Sequence, residues 1–294
     1  MDSKKVAIVT GASAGIGKAT VERLLDAGYV VHAAARRLEA MRELEARGAR
    51  VHALDLTRPE SIEACVRDIL ADSGRVDLLV NNAAQGLYGA VEDIPLSAAR
   101  EQMEVNLFGL VHMIQGVLPT MRAQRSGRII NVSSIGGKMW SYLAGWYHAS
   151  KFALEGISDC LRNELRPFGI EVVVVEPGGT ETAFIGMSFE SMRRYSRQGP
   201  YRGFVEMWER AMARRGDRKT GIAPPGEIAE VILQAASAPR PKTRYVAPWS
   251  GRVMLGLQWA LSDRAFDWLW MKLLRVPTMA DLSSSEPRPP GAAS

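Results

Sequence analysis

The chain has 294 residues, of which 47 % are hydrophobic and 23 % are charged, a composition typical of a folded globular protein rather than a disordered or fibrous one. Its two cysteines and four histidines form no pair at metal-ligand spacing, so we expect reduced thiols and no metal site.

The formal net charge of +5 is concentrated in one stretch. Residues 190–219 contain nine Lys or Arg and four Asp or Glu, a difference of +5, so the rest of the chain is neutral overall. A nucleic-acid-binding protein usually has a wider basic face and a reading motif, and we expect no nucleic-acid partner. Because the first residues, MDSKKVAIVT, contain no apolar leader, we expect a cytoplasmic protein.

The first predicted elements are a strand, a glycine-rich turn and a helix. The apolar run at residues 6–9 is typical of a parallel strand buried on both faces, and TGASAGIGKAT follows it at residues 10–20. A helical repeat of apolar residues then places a helix N-terminus above the turn, where a phosphate would bind. An ATP loop would need G-x-x-x-x-G-K-[ST], but Ala12 and Ala19 stand at its first and last positions. The turn therefore favours a dinucleotide over ATP.

Strands and helices alternate after this turn. Right-handed crossovers between parallel strands then predict an α/β fold, a Rossmann-like doubly wound parallel sheet flanked by helices, with ligands beyond the carboxyl ends of the strands. The predicted strands are 29–35, 50–54, 76–80, 128–132, 170–175 and 243–247, and the predicted helices are 38–47, 59–72, 97–124, 146–166 and 226–237.

The pattern predicts one domain with two additions. A catalytic domain covers residues 1–250, and an insertion rich in Met, aromatic residues and Arg, about 184–222, is expected to form a lid at the ligand edge. Residues 251–281 are predicted to form an amphipathic helical extension, in which Ala265, Phe266, Leu269, Trp270 and Leu273 share one face. The last segment, 282–294, is rich in Ser and Pro and is expected to be disordered.

Five motifs occur in order within residues 5–182: TGASAGIG, NNAA, SSIGG, YHASK and PGGTET. Together they resemble the short-chain dehydrogenase/reductase family in its single-domain branch. YHASKFALEG and PGGTETAF look most like members that act on hydroxysteroids, retinoids and related apolar alcohols or ketones. This resemblance implies hydride transfer between a nicotinamide cofactor and a carbonyl or alcohol carbon.

Tyr147 and Lys151 support this chemistry independently of the resemblance. They are four residues apart, so they share one face of a helix. A free phenol has a pKa of about 10, and a nearby ammonium stabilises its phenolate form. A separate apolar stripe, at Ala149, Ala153, Ile157, Leu161 and Leu165, is interpreted as the core-facing line, which would leave Tyr147 and Lys151 off the core.

The resemblance implies the remaining catalytic residues. Ser134 matches the family's serine that hydrogen-bonds the substrate oxygen. Asn106 matches the helix asparagine that helps the lysine hold a proton-supplying water chain, and it could instead only bridge the backbone. His148 follows Tyr147 and points about 100° away from it on a helix, so it is interpreted as a packing residue.

The resemblance also implies the cofactor and the residues that bind it. NAD-preferring members usually have an acid seven residues after the glycine that opens the second strand, whereas this chain has Ala35 there, followed by Arg36 and Arg37. A guanidinium suits the 2′-phosphate of NADP(H). Thr180 departs from the Val or Ile that the family often has. The implied cofactor residues are Gly11, Ser13, Gly15, Ile16, Gly17, Arg36, Arg37, Asp55, Leu56, Asn82, Ala83, Tyr147, Lys151, Pro177, Gly178, Thr180 and Thr182.

These features predict an NADP-dependent oxidoreductase that acts on a secondary alcohol or carbonyl of an apolar, steroid-, retinoid- or lipid-like substrate. One alternative is a reductase of carrier- or CoA-bound ketoacyl thioesters, in which the arginines of 190–219 would meet an acidic partner. Another is a catalytically silent NADP-binding sensor. We expect a homodimer or homotetramer. The aromatic and basic residues of 251–275 lead to two hypotheses, a pocket or interface wall and peripheral contact with an anionic membrane.

Overall fold

The computed structural model describes residues 4–215 and 222–276. Its centre is a seven-stranded parallel sheet in the order β3-β2-β1-β4-β5-β6-β9, which confirms the predicted doubly wound α/β fold. The strands of this sheet are β1 Val6–Thr10, β2 Val30–Ala35, β3 Arg50–Ala53, β4 Leu78–Asn81, β5 Gly127–Val132, β6 Ile170–Pro177 and β9 Arg244–Ala247.

Helices cover both faces of the sheet. A short 3-10 turn, Leu38–Met41, precedes α2, so the single helix predicted at 38–47 is two pieces. The helices are α1 Gly15–Asp26, α2 Arg42–Ala46, α3 Pro59–Ser73, α4 Leu96–Met103, α5 Gly109–Gln124, α6 Gly145–Leu165, α7 Ala183–Ser196, α8 Arg202–Arg215, α9 Pro225–Ser237, α10 Trp249–Ala260 and α11 Asp263–Leu274.

The hydrophobic core consists of two layers, one on each side of the sheet. One layer joins β1 and β2 to α1 and α9, with Val9, Leu24 and Ile232 fully buried. The other joins the opposite faces of the strands to α3 and α5, with Ile8, Ile69 and Ile114 fully buried. Neighbouring residues of β1 therefore point into different layers, which is why its sequence is continuously apolar rather than alternating.

The helix predicted at 97–124 is interrupted where the sequence shows no break. A π-helical turn, Glu104–Phe108, lies between α4 and α5 and contains Asn106. A π turn has one residue more than an α turn, and such turns occur often at functional sites. The wider turn changes the direction in which Asn106 points.

The predicted lid consists of α7 and α8. Its base is a two-stranded parallel sheet of β7 Gly179–Thr180 and β8 Ile222–Ala223, which was not predicted because two-residue strands have no readable periodicity. Three serines of α7 face the loop after β4: Ser191 Oγ accepts from the Tyr88 amide at 2.9 Å, Ser196 Oγ accepts from the Ala90 amide at 2.8 Å, and Ser188 lies against Gly86. The lid is thus fastened across the carboxyl edge of the sheet.

The extension beyond β9 forms α10 and α11. Phe266 packs edge-on against Trp140 with a centroid distance of 6.0 Å, and Trp270 Nε1 donates to the Trp140 carbonyl at 2.9 Å. The predicted inward face is wrong by part of a turn, because Leu274 is buried and Leu273 is 56 % exposed. The described helices include none long and apolar enough to cross a bilayer. The predicted tail, 282–294, lies outside the described residues.

Candidate active site

The glycine-rich turn lies between β1 and α1 at the carboxyl edge of the sheet. Gly11 and Gly15 have φ angles of +67° and +56°, which residues with a side chain rarely adopt. A Cβ on Gly17 would lie 2.2 Å from the Gly11 carbonyl oxygen, so the turn can close only with glycine at this position. Ser13 and Ile16 lie half-buried within the turn. No side chain caps α1, which leaves its first amide groups available for a phosphate.

Thr10 joins this turn to the end of β4. Its hydroxyl accepts hydrogen bonds from the amides of Asn82 and Ala83, both at 3.1 Å. The side-chain amide of Asn82 donates through Nδ2 to the Thr10 carbonyl at 3.0 Å. Sequence reasoning did not assign Thr10 a role, although its position directly before Gly11 was the available signal.

Arg36, Arg37 and Asp55 lie at the ends of β2 and β3. Both arginines are exposed and directly follow the buried Ala35. Asp55 Oδ1 accepts from the Thr57 amide at 3.0 Å and from its hydroxyl at 2.7 Å. Burial alone would raise the pKa of Asp55, but these bonds and the charges of Arg36 and Arg58 outweigh it and lower that pKa. An anionic Asp55 near a cationic Arg36 can recognise the polar groups of a nucleoside. Leu56 is buried beside Asp55.

The segment after β6 crosses the same edge. The Gly178 amide donates to the Ala247 carbonyl at 2.7 Å, and Thr180 Oγ1 donates to the Gly178 carbonyl at 3.3 Å. Thr182 is the N-cap residue of α7, and its methyl group would lie 3.1 Å from a Cβ placed on Gly15. Pro177 ends β6 directly before this segment. These residues border the glycine turn on the side opposite Asn82.

Tyr147, Ser134 and Lys151 are close together at the centre of this edge. Burial raises the pKa of the Tyr147 phenol to about 12, and the nearby Ser134 hydroxyl, which donates to the Pro177 carbonyl at 3.4 Å, partly offsets that rise. Lys151 Nζ donates to the Val132 carbonyl at 2.9 Å. Burial lowers the pKa of Lys151 to about 8, against an opposing effect of Glu155. At neutral pH the site thus holds a protonated phenol and a largely protonated amine.

The structure corrects the prediction that Tyr147 and Lys151 lie off the core-facing side of α6. The buried stripe of this helix contains Tyr147, Ser150, Lys151, Leu154, Glu155 and Ser158, at spacings of three and four residues. Of the predicted line, Leu165 is buried in the core, Ala153, Ile157 and Leu161 are partly buried and pack against it, and Ala149 is exposed. A polar stripe can be buried here because its groups have partners: Ser158 accepts from Asn131, and Ser150 accepts from Asn106.

Asn106 fastens the loop that follows Asn82 and Ala83. Its Oδ1 accepts from the Gln85 amide at 2.7 Å, and its Nδ2 donates to the Gln85 carbonyl and to Ser150 Oγ, both at 3.0 Å. These bonds are the ones expected if Asn106 bridges the backbone, the alternative to its holding a water chain. His148 bridges the Gly136 carbonyl and Ser141, as its interpretation as a packing residue predicted.

Two aromatic side chains enclose the phenol. The Tyr88 and Phe184 rings lie 5.6 Å and 5.4 Å from the Tyr147 ring, and Tyr147 is 8 % exposed. Met192 and Phe189 of the lid pack with Tyr142 and Phe204 into a cluster that also includes Tyr88. Phe184 is the lid residue whose ring contacts the Tyr147 ring in the described part of the chain.

A comparison with known families assigns the chain. A family model described as short chain dehydrogenase matches residues 5–193, more than half of the chain. The chain belongs to the short-chain dehydrogenase family. It is thus an oxidoreductase of a family that uses nicotinamide cofactors. The resemblance derived from the five motifs is confirmed.

Two curated relatives of this short-chain dehydrogenase are named as reductases. The 3-ketodihydrosphingosine reductase of Bacteroides thetaiotaomicron is 41 % identical over 180 residues, which are 61 % of this chain and 65 % of the relative. The NADPH-dependent 3-dehydrocapnine reductase of Ornithobacterium rhinotracheale is 32 % identical over 284 residues, covering 93 % of this chain and 99 % of the relative. A solved short-chain dehydrogenase from Streptomyces avermitilis is 31 % identical with a TM-score of 0.77, covering 94 % of this chain and 99 % of that one.

This short-chain dehydrogenase also has a buried charged group behind the site that the sequence did not reveal. Arg244 Nε lies 3.1 Å from Glu155 Oε2 and 3.2 Å from Glu176 Oε1. Burial, together with the charge of Glu155, raises the pKa of Glu176 to about 7. The described residues contain no cluster suited to a metal ion.

Proposed function

We propose that this protein is an NADPH-dependent reductase that converts the carbonyl group of an apolar substrate into a secondary alcohol. The observation that carries the proposal is the buried arrangement of Tyr147, Ser134 and Lys151 beside a glycine turn. A bound NADPH supplies the hydride at the carbonyl carbon. The chain itself must orient the carbonyl, exclude water and deliver one proton to the oxygen.

The protonation states favour the reductive direction. Because burial raises the pKa of Tyr147 to about 12, its hydroxyl is protonated at neutral pH and can donate to the forming alkoxide. Ser134 donates a hydrogen bond to the same oxygen. Lys151, one helical turn from Tyr147, stabilises the phenolate that remains. Lys151 and Tyr147 also lie where the ribose of the cofactor would bind.

The surroundings of Tyr147 favour an apolar substrate. Tyr88 and Phe184 provide aromatic walls, and the site is covered by the lid helix α7. A site with few polar groups around a central hydrogen-bonding pair selects apolar molecules. The two relatives named above act on 3-ketodihydrosphingosine and 3-dehydrocapnine according to their names, which supports a lipid-like ketone.

Arg36 supports NADPH over NADH. It follows a neutral residue at the end of β2 and is exposed, so its guanidinium is free to form a charge-assisted pair with a 2′-phosphate. The relative that matches nearly the whole chain is named as NADPH-dependent.

The alternative of an acidic carrier partner is less well supported. Arg193 and Arg197 pair with Glu209, and Arg202 and Arg210 pair with Glu206. Four of the five arginines in residues 190–213 of the basic stretch are therefore paired within the lid, two to each glutamate. A silent sensor is disfavoured because Tyr147, Lys151 and Ser134 are all present and close together.

Self-association is part of the proposal. Ala149, Phe152 and Gly156 of α6 are exposed, and Phe108, directly before α5, is 56 % exposed. Covering these groups with a second copy would remove apolar surface from water.

The test is turnover of NADPH with a panel of apolar ketones. Tyr147→Phe should lower kcat by roughly 10²–10⁴-fold while leaving NADPH affinity nearly unchanged, since it removes the proton donor and only one of the many groups expected to bind the cofactor. Tyr245→Phe is the matched control, because Tyr245 lies on β9 and its hydroxyl accepts from the Lys242 amide. Turnover of the Tyr147 variant within threefold of the wild type would refute the assignment.

A further inference from the structure

Helix α11 has two faces of different chemistry. Its inner stripe is Phe266, Trp270 and Leu274, of which Phe266 and Leu274 are buried. Its outer stripe contains the exposed residues Arg264, Trp268, Met271, Lys272 and Arg275, at positions i, i+4, i+7, i+8 and i+11. Lys272 Nζ lies 4.4 Å from the centre of the Trp268 ring. The outward face thus combines large apolar groups with cations.

The cations of this surface differ from those of the lid. Residues 249–276 contain four Lys or Arg and two Asp, a net charge of +2. Within the part of the chain that the structure describes, no ion pair involves Arg252, Arg264, Lys272 or Arg275. Four lid arginines, by contrast, pair with Glu206 and Glu209, and Arg194 lies over the Tyr195 ring. Among the described residues, the four cations of the extension are therefore not neutralised by carboxylates of the chain.

Helix α10 adds exposed aromatic surface. Trp249 is 74 % exposed and Trp259 is 87 % exposed, and Val253 is also exposed. Helical spacing places Trp249, Val253 and Ala260 on one face, with Arg252 and Trp259 at its edge. Tryptophan and arginine side chains together favour the boundary between lipid headgroups and acyl chains.

We propose that the outer stripe of α11 and the exposed face of α10 dock on an anionic lipid surface. The biological role of this docking, the uptake of a lipid-like ketone, rests on the proposed function. The inner side of α11 contacts the segment between β5 and α6. Phe266 and Trp270 contact Trp140 of that segment, and the Trp140 and Tyr142 ring centres lie 5.6 Å apart. This segment directly precedes α6 and Tyr147.

Charge decides between a lipid surface and a second copy of the chain. An isologous contact through the outer stripe would place Arg264, Lys272 and Arg275 opposite the same residues. Like charges in a desolvated contact are unfavourable, whereas anionic headgroups are complementary to all three. With no bilayer-crossing helix among the described residues, contact through these two faces is peripheral.

The experiment measures co-sedimentation of the full chain with vesicles, without cofactor or substrate. Wild type should bind vesicles of phosphatidylglycerol and phosphatidylcholine at low salt, bind pure phosphatidylcholine weakly, and dissociate near 1 M salt, where the Debye length is about 3 Å. The triple variant Arg264→Glu, Lys272→Glu, Arg275→Glu should bind at least about 100-fold more weakly. Trp268→Ser with Met271→Ser should also reduce binding.

Matched controls use exposed residues elsewhere. Arg100→Glu with Arg122→Glu and Arg166→Glu changes the net charge equally, and Phe168→Ser removes an exposed aromatic ring. Both controls should bind as the wild type does, and all variants should keep its thermal unfolding midpoint. Absence of wild-type binding at low salt, or equal loss in the controls, would overturn the proposal. A smaller sedimentation coefficient of the Trp268 variant without lipid would assign the surface to a second copy instead. Because no turnover is measured, failure here leaves the ketone assay as a separate test of function.

Discussion

At the scale of single residues, the site depends on how burial shifts proton affinities. Lys151 is 2 % exposed, and its amine would lose its proton more easily if Glu155 were absent. Glu155 lies one turn further along α6 and is itself held by Arg244. The charged group behind the site thus favours the protonated form of Lys151.

Glu155→Gln tests this dependence. Activity in the reducing direction should fall as pH rises through about 8, where Lys151 loses its proton. Because Glu155 raises that pKa, its removal should move the alkaline limb of kcat/KM to lower pH. At pH 8 the variant should be roughly two- to threefold less active than the wild type. Asp159→Asn is the control, since it removes another partner of Arg244 two turns from Lys151. An unshifted limb would contradict the role of Glu155.

Arg36→Ala tests the cofactor choice. A charged hydrogen bond contributes about 1.5–3 kcal/mol, so loss of the guanidinium should lower kcat/KM for NADPH by roughly 10- to 100-fold and change that for NADH little. Arg42→Ala is the matched control, because Arg42 is exposed on α2 and pairs with Glu39. Equal efficiencies for both cofactors in the wild type would show that Arg36 does not select NADPH.

At the scale of elements, the lid helix α7 is fastened by hydrogen bonds rather than by packing alone. Ser191 and Ser196 satisfy the amides of Tyr88 and Ala90, and Phe184 at the start of α7 covers Tyr147. Under the proposed function, a substrate carbonyl reaches the phenol only when Phe184 moves away from it. The serine contacts therefore set how readily the site opens.

Ser191→Ala and Ser196→Ala should each loosen the lid. Each change leaves a backbone amide without its partner, which costs about 1–3 kcal/mol when the amide stays buried. We expect faster amide hydrogen exchange in residues 183–196 and 86–90, with the exchange of β1 and β5 unchanged. Ser188→Ala is the control, since Ser188 also packs against the loop 86–90, at Gly86, but its hydroxyl donates to the Phe184 carbonyl at 2.9 Å and, among the described residues, bonds no amide of that loop. Exchange equal to that of the control would mean that packing alone holds α7.

At the scale of the whole molecule, the sheet brings residues from distant parts of the chain to one edge. The two strands at one side of the sheet, β2 and β3, hold another polar group, the pair of the buried His32 and the half-buried His52, whose protonation depends on pH. His32 Nδ1 lies 2.8 Å from His52 Nε2, and His32 Nε2 lies 2.8 Å from Ser73 Oγ. Burial, with the charges of His52 and Arg50, lowers the pKa of His32 to about 4.

This histidine pair should make the fold sensitive to acid. The folded pKa of His32 is below the unfolded value of 6.5, so its contribution to stability is complete above pH 6.5 and is lost as pH falls toward 4. The free energy of unfolding should fall by about 2 kcal/mol between pH 7 and pH 5 from this group. Denaturant unfolding at both pH values should show a smaller fall in His32→Leu. His112→Gln, on the exposed side of α5, should keep the wild-type difference.

The sequence alone determined the order of strands and helices, the family, and the positions of the motifs. These features depend on short-range patterns: an uninterrupted apolar run for a buried strand, and glycines where the backbone must have positive φ or let another backbone approach closely. The glycine turn and the Tyr147 and Lys151 pair were predictable for this reason, since each lies within one turn or one helix.

Only the tertiary structure decided which faces are buried. The stripe of α6 that the sequence assigned to the core is partly exposed, because Asn106, Asn131 and the Val132 carbonyl supply partners that let a polar stripe lie inside. The π turn at Asn106, the rotation of α11 and the pairing of the lid arginines also depend on residues distant in sequence. Burial of a polar or apolar side chain is a property of its neighbours, and those neighbours are set by the fold rather than by local periodicity.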